Sequence, residues 1–216
     1  MKPIILNQSH SVVNTFIAEL RNTSIQKDPL RFRINLQRLG WCMAYELSKE
    51  MQYSKQDVTT PLGVATESLI DETVVLGTVL RAGLPFHQGF LDVFDRAENA
   101  FVGAARVEVD GALPEVSLGY EASPNLEGKV LVMIDPMIAT GKSLVEATKA
   151  LVKSRGQPKA IVFCGAIGSQ AGVDYVQAQL PDSHLYIAAV DAELDENYYI
   201  VPGLGDAGDL SFGEKM

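Results

Sequence analysis

Residues 130–143 read Val-Leu-Val-Met-Ile-Asp-Pro-Met-Ile-Ala-Thr-Gly-Lys-Ser. An apolar run meets an acidic residue, then small and hydroxyl side chains, then a helical pattern. Such a stretch can bind an anion. Where a helix begins, backbone N–H groups lack intrahelical partners and the dipole presents its positive end. Thr140 and Ser143 add hydroxyl donors, and Gly141 lets the backbone approach a ligand without a Cβ in the way. Residues Ala139, Thr140, Gly141, Lys142 and Ser143 together form a cradle that suits a phosphate monoester. Asp135 stands beside it, placed to accept hydrogen bonds from sugar hydroxyls. Two other readings compete. One is a plain turn with Thr140 or Ser143 as a helix N-cap. The other is a Walker A loop, whose last three positions Gly141-Lys142-Ser143 would complete. That loop needs a glycine five residues before Gly141. The position holds Pro136, which has no N–H, and no glycine lies between Gly128 and Gly141. A P-loop nucleotidase is therefore disfavoured.

A second unusual stretch is Tyr198 to Gly213, with glycines at 203, 205, 208 and 213. Backbone donors and acceptors in such a loop can face a flat heterocycle with adjacent donors and acceptors. The rival reading is a loose tail, against which stand Ile200, Val201, Leu204 and Phe212. Other chemistries are poorly supplied. Cys42 and Cys164 are too few for a disulfide scaffold or a cysteine-rich zinc site. No HExxH motif occurs, and His10, His87 and His184 read as structural or surface residues.

The elements that must position these residues are legible as runs. Thr73–Leu80, Lys129–Asp135, Lys159–Ile167 and Leu185–Val190 are short and apolar without alternation, as strands covered on both faces are. The first ends at Arg81-Ala82-Gly83. Between them, 143–155 and 170–180 carry apolar residues at helical spacing, the former stopping at Gly156. This predicts an α/β fold, a mainly parallel sheet flanked by helices, with ligands at the carboxyl ends of the strands. Phe32, Leu36, Leu39, Met43 and Leu47 predict an amphipathic helix over 31–50. Val107–Leu113 alternates around Asp110-Gly111 and predicts a hairpin arm.

At 216 residues the chain fits one domain at roughly 150 residues per domain. The expected organisation is a helical segment over 10–52, a core over 70–195, a hairpin arm over about 105–122 and a ligand segment over 198–213. Eighteen basic and 27 acidic residues leave a net charge of −9, a poor field for nucleic acid or an anionic membrane. No apolar run is long enough to span a bilayer and no secretory leader is evident, so a cytoplasmic location is expected.

Three blocks resemble the type I phosphoribosyltransferases, and among them the uracil-specific family. Val79-Leu80-Arg81-Ala82-Gly83-Leu84 is similar to the family's first loop. Asp135 to Gly141 is similar to its phosphoribosyl diphosphate (PRPP) loop, including a proline after the acid. Tyr199 to Asp209 is similar to its uracil-binding segment. The resemblance implies that Asp135 binds the ribose hydroxyls of PRPP, that Ala139, Thr140, Gly141, Lys142 and Ser143 hold its 5′-phosphate, and that Pro136, Met137, Ile138 and Asp206 belong to the same PRPP site. It assigns Arg81 and Arg106 to the diphosphate. Tyr199, Ile200, Gly205, Asp206 and Ala207 would contact uracil, largely through backbone. Mg²⁺ would be bound mainly by PRPP and water, near Asp206. The arm would serve as a lid, and a homodimer or higher homo-oligomer is implied. Two positions depart from the family pattern: Lys142 replaces a glycine, and Arg106 has Ala105 before it and Val107-Glu108-Val109-Asp110 after it. A non-catalytic binder of PRPP or UMP on the same fold is the alternative.

Overall fold

The structure, a computed structural model, describes residues 2–107 and 115–215, with the backbone alone described over 104–107 and 115–118. The main sheet is built from β1 (Ile4–Ile5), β4 (Val74–Leu80), β5 (Glu98–Val107), β6 (Glu115–Ala122), β7 (Val130–Ile138), β8 (Ala160–Ser169) and β9 (His184–Asp191). Around it lie α1 (Val12–Arg21), α2 (Pro29–Ser48), α3 (Leu84–Val93), α4 (Lys142–Arg155), α5 (Gln170–Gln179) and α6 (Ala207–Phe212). Two small hairpins complete the chain, β2 (Tyr53–Thr60) with β3 (Gly63–Ile70), and β10 (Glu193–Leu194) with β11 (Ile200–Val201).

The sheet order is β1-β9-β8-β7-β4-β5-β6, parallel throughout except where β6 returns beside β5. Its central strands are apolar without alternation because both faces are covered, and side chains of opposite parity serve opposite layers. Val74, Leu76, Val130, Val132 and Ile134 join Ile17, Leu36, Leu39, Phe86 and Phe90 of α1, α2 and α3. Val75, Leu131 and Met133 join Leu144, Leu151, Val173 and Val176 of α4 and α5.

Helix α2 starts and stops two residues earlier than its apolar spacing predicts. Asp28 caps it, accepting from the N–H groups of Leu30 and Arg31 at 2.9 and 3.2 Å, and Pro29 takes the first helical position. Strand β7 runs further than predicted. It pairs with β8 through Ile138↔Gly168, so Pro136 to Ile138 are strand rather than loop. Its pairing with β4 ends at Thr78↔Ile134. Pro136 therefore sits where one side of the strand is open, the place a residue without an N–H is tolerated.

The hairpin β2–β3 was not foreseen. It pairs only with itself and buries almost nothing, so no apolar face marks it in the sequence. The predicted arm is present as β5 and β6. β5 leaves β4 after Leu80↔Gly103, with a register shift between Gly103 and Ala104, and continues against β6 alone. The Asp110-Gly111 turn lies outside the described residues. Among those described, no helix is long and apolar enough to cross a membrane.

Candidate active site

The chain leaves β4 through α3 toward β5 and leaves β7 through α4 toward β8, in opposite directions along the sheet. The carboxyl ends of β4 and β7 thus flank a topological switch point, the crevice where α/β sheets hold ligands. A cleft of about 930 Å³ opens there. Its walls come from Val79–Ala82, from Asp135–Leu144 and from Tyr198–Gly208, with Lys215 at the rim.

Arg81 follows β4 directly, after a cis Leu80–Arg81 peptide. Its Nη2 donates to Asp209 Oδ1 at 3.2 Å, and the guanidinium is partly exposed toward the cleft. Asp135 lines the opposite wall, its Oδ1 accepting the Met137 N–H at 3.0 Å. Beyond it Met137, Ile138, Ala139, Thr140, Gly141 and Ser143 all face the cleft.

One of the loop's readings needs revision. Gly141 has a φ of +74°, and a Cβ there would meet Gly172 O at 2.9 Å and Val176 Cγ2 at 3.0 Å. The glycine thus serves the backbone turn and the contact with α5 while its backbone lines the cleft. Neither Thr140 nor Ser143 caps α4, whose N-cap is Gly141 without a side-chain bond. Among the described residues a long 3.4 Å bond runs from the Lys142 N–H to Thr140 Oγ1. The first-turn N–H groups thus keep their capacity for an anion. Pro136 and Lys142 do not line the cleft.

The third wall is a loop held by carboxylates. Asp195 Oδ1 accepts from the N–H groups of Asn197 and Tyr199 at 2.9 and 2.8 Å. Asp206 Oδ1 accepts from Gly208 and Asp209 at 2.8 and 3.0 Å and so caps α6. Tyr199, Ile200, Gly205 and Asp206 line the cleft; Ala207 is fully buried and does not. Arg106 lies in β5 opposite Val116, and its side chain is outside what is described. Sequence reasoning placed Tyr198 and Gly208 in the 198–213 segment without singling them out, and missed Leu144 and Lys215. Gly208 could have been found as the residue capped by Asp206, whereas nothing in the sequence marks Lys215.

The histidines stay out of the cleft. His87 is buried against Phe101, and desolvation pushes its imidazole below the usual range. Among the described residues no group of three or more His, Cys, Asp or Glu could hold a metal by itself. The carboxylates on the cleft are Asp135 and Asp206, from opposite walls.

Comparison with known proteins identifies the family. The family model described as "Uracil phosphoribosyltransferase" matches residues 7–214. The uracil phosphoribosyltransferase of Porphyromonas gingivalis is 51% identical over 217 residues, covering all of both chains. That of Methanococcus vannielii is 38% identical, covering 93% of this chain and 85% of its own. A solved structure of an Aquifex aeolicus protein superposes with a TM-score of 0.87 at 29% identity, covering 98% of each chain. With its parallel sheet, switch-point cleft and three loops, the chain belongs to the uracil phosphoribosyltransferase family.

Proposed function

We propose that the chain is an enzyme that transfers the 5-phosphoribosyl group of PRPP to N1 of uracil, giving UMP and diphosphate. The observation that carries this is the cleft itself, which sets a phosphate-type loop opposite a backbone-rich segment across one crevice. The bond from ribose C1 to the diphosphate oxygen breaks, the bond from C1 to uracil N1 forms, and the N1 proton is lost. Residues 139–143 hold the 5′-phosphate on the first-turn N–H groups of α4. Asp135 accepts from the ribose hydroxyls and fixes the sugar. Arg81, and Arg106 by family resemblance, meet the charge that grows on the departing diphosphate, as a planar guanidinium fork does well. To do so Arg81 exchanges its bond to Asp209 for the substrate. Tyr199, Ile200, Gly205 and Asp206 present backbone groups to the base.

Mg²⁺ fits this site as an ion carried in on PRPP, where it would neutralise leaving-group charge and rest its water shell on Asp206. No all-protein cage is needed for that. The non-catalytic alternative is favoured by nothing in the cleft, and the 51% identical relative carries an enzyme's name.

The partners proposed are these small molecules rather than nucleic acid or a membrane, in the cytoplasm. A homo-oligomer is also proposed. Leu62 and Val64 on β2–β3 are strongly exposed, as are Trp41 and Tyr45 on α2. A two-stranded hairpin is marginal in water by itself, and a second copy would cover it. Light scattering on the eluting protein tests this, and a monomer at micromolar concentration overturns it.

The test of function is a product assay with Mg²⁺, PRPP and each nucleobase in turn, nucleotide and diphosphate being read by chromatography. UMP formed with uracil alone is expected. Product with another base instead overturns the uracil assignment. No product with any base, while PRPP still raises the Tm, overturns the catalytic reading.

A further inference from the structure

The uracil segment is held in part from outside itself. In its Ile200–Gly203 turn, Gly203 has a φ of +56°. The Gly203 N–H goes not to the turn's own first carbonyl but to Asp191 Oδ2, at 3.0 Å. The Gly203 carbonyl accepts from Arg21 Nη1 at 3.0 Å. Arg21 in turn grips both Asp191 oxygens, at 2.8 and 2.7 Å. One residue further, the Leu204 carbonyl accepts from Gln26 Nε2 at 3.2 Å. Every polar backbone atom of Gly203 is therefore committed to one ion pair.

Arg21 is the last residue of α1 and Asp191 the last of β9, 170 positions apart. Neither lines the cleft. Asp191 is almost fully buried and Arg21 is mostly so. A bidentate pair at low exposure is rigid, and loss of one partner strands the other. Ile200 lies on one side of the clamped residue, and Gly205 and Asp206 on the other; all three line the cleft.

We propose that Arg21 and Asp191 are positioning residues for base recognition: their ion pair fixes the peptide of Gly203 and so sets Ile200 and Gly205–Asp206 at the height that reads the base. This rests on the reading that residues 199–206 bind uracil. It requires the first helix of the chain to act on the last loop without touching substrate, and it assigns the clamp to uracil rather than to PRPP, whose loop hangs on β7.

The experiment is steady-state kinetics of the full-length protein as Arg21→Lys, Asp191→Asn and Ile200→Ala, each substrate varied at saturating levels of the other. The two clamp variants should raise KM for uracil about tenfold, the scale of a lost charged hydrogen bond, with KM for PRPP within about twofold. An unchanged KM for uracil, or equal rises in both KM values, overturns the proposal. Ile200→Ala separates the two ideas. If it raises KM for uracil and the clamp variants do not, the clamp role fails and the base segment stands; if it leaves KM for uracil unchanged, the base-segment reading fails. Hydrogen exchange on the unsubstituted protein needs no variant to fold. The Gly203 amide should be protected before any ligand is added, and fast exchange there overturns the proposal.

Discussion

The phosphate loop and the base segment face each other across one cleft but are held by different means. Residues 135–138 continue a buried strand, still paired with β8 as far as Ile138. The next carbonyl, of Ala139, accepts from the buried Ser169 hydroxyl at 2.6 Å, and that hydroxyl in turn accepts the Gly172 N–H at 2.9 Å. The loop is thus an outgrowth of the sheet and its second helix layer. Residues 193–213 contain only a two-residue ladder and a six-residue helix. Their shape comes from side chains gripping backbone: Asp195, Asp206, and the Arg21–Asp191 pair. A wall made of ladder opens with the core, whereas a wall hung on a few side chains opens by local unfolding at lower cost. The 135–143 wall is therefore the stiffer of the two, and the 193–213 wall is the one whose shape rests on a few side-chain bonds.

The largest effect should come from the chemistry on the stiff side. Asp135→Asn keeps the size of the side chain and removes the charge facing the ribose. It should lower kcat/KM about a hundredfold or more, as loss of one preorganised group at a reacting centre does. The Tm should barely move. Steady-state rates with PRPP and uracil decide it, and activity above a tenth of the parent's removes Asp135 from its assigned role. Next in size is damage to the anchor itself. A Cβ on Gly172 would lie within contact-forbidden range of the Ala139 and Ile138 carbonyls. Both are backbone atoms of the loop, so neither can swing aside. Gly172→Ala should cost about 1–3 kcal/mol, the usual range for overpacking a close contact. It should raise KM for PRPP while KM for uracil holds. Urea denaturation and the two KM values check it; a rise in KM for uracil alone would reverse the assignment of stiffness.

The same contrast explains what was legible in the sequence. The strands β4, β7, β8 and β9 and the helices α4 and α5 could be read because burial on two faces or one writes a local pattern. The phosphate loop could be read with them, since it is the strand's own continuation into a helix start. The base segment could be read from chemistry as a glycine-rich stretch that packs and can face a flat heterocycle, and its assignment to uracil came from family resemblance. Its shape depends on Arg21, Gln26 and Asp191, whose partners lie more than 10 positions away or at the far end of the chain. No spacing rule reports such contacts. Gly141 illustrates a subtler limit. Its missing Cβ also admits the Gly172 carbonyl of α5, about thirty residues on, a contact no local spacing reports. The β2–β3 hairpin went unseen because it buries so little that nothing constrains its residues to a pattern.

Asp206 lets the softer side be taken apart. One of its oxygens caps α6, and the carboxylate also lines the cleft. Asp206→Ala loses both roles; Asp206→Asn keeps an acceptor for the Gly208 and Asp209 N–H groups and loses only the charge. The alanine variant should be less stable than the asparagine variant by about 1 kcal/mol, an ordinary N-cap value. Turnover should fall alike in the two. Thermal melts alongside the product assay test this. Equal melting temperatures would mean that the cap does not hold the base segment, and full activity in the asparagine variant would mean that the charge is not used.

The smallest effect is a pH dependence, and it reaches the base segment from furthest away. Glu19 sits two residues before Arg21 on α1 and accepts from Arg31 twice, at 2.8 Å, and from Asn35 at 2.7 Å. The Arg31 guanidinium, then the Asn35 amide, hold its carboxyl down at about 2, against 4.5 for a free one. The unfolded chain therefore takes up the proton first as the pH falls. The contribution of Glu19 is complete above about 4.5 and is lost between there and about 2. Because the pair is partly exposed, solvent screens it and the loss is modest. His87 works in a different window. Burial holds its imidazole below 6.5, so its contribution is whole above that pH and erodes as the pH drops beneath it. A Glu19→Gln variant should therefore differ from the parent in its pH dependence only below about 4.5, with urea midpoints read at pH 7, 5 and 3. Hydrogen exchange at pH 7, where the Glu19 contribution is complete, should find the Gly203 amide faster in that variant and the Ile138–Ala139 region unchanged, since the Arg21 bond to the Gly203 carbonyl ties α1 to the base side. Equal acceleration on both walls would mean that α1 supports the whole cleft and that the two walls share one mode of opening.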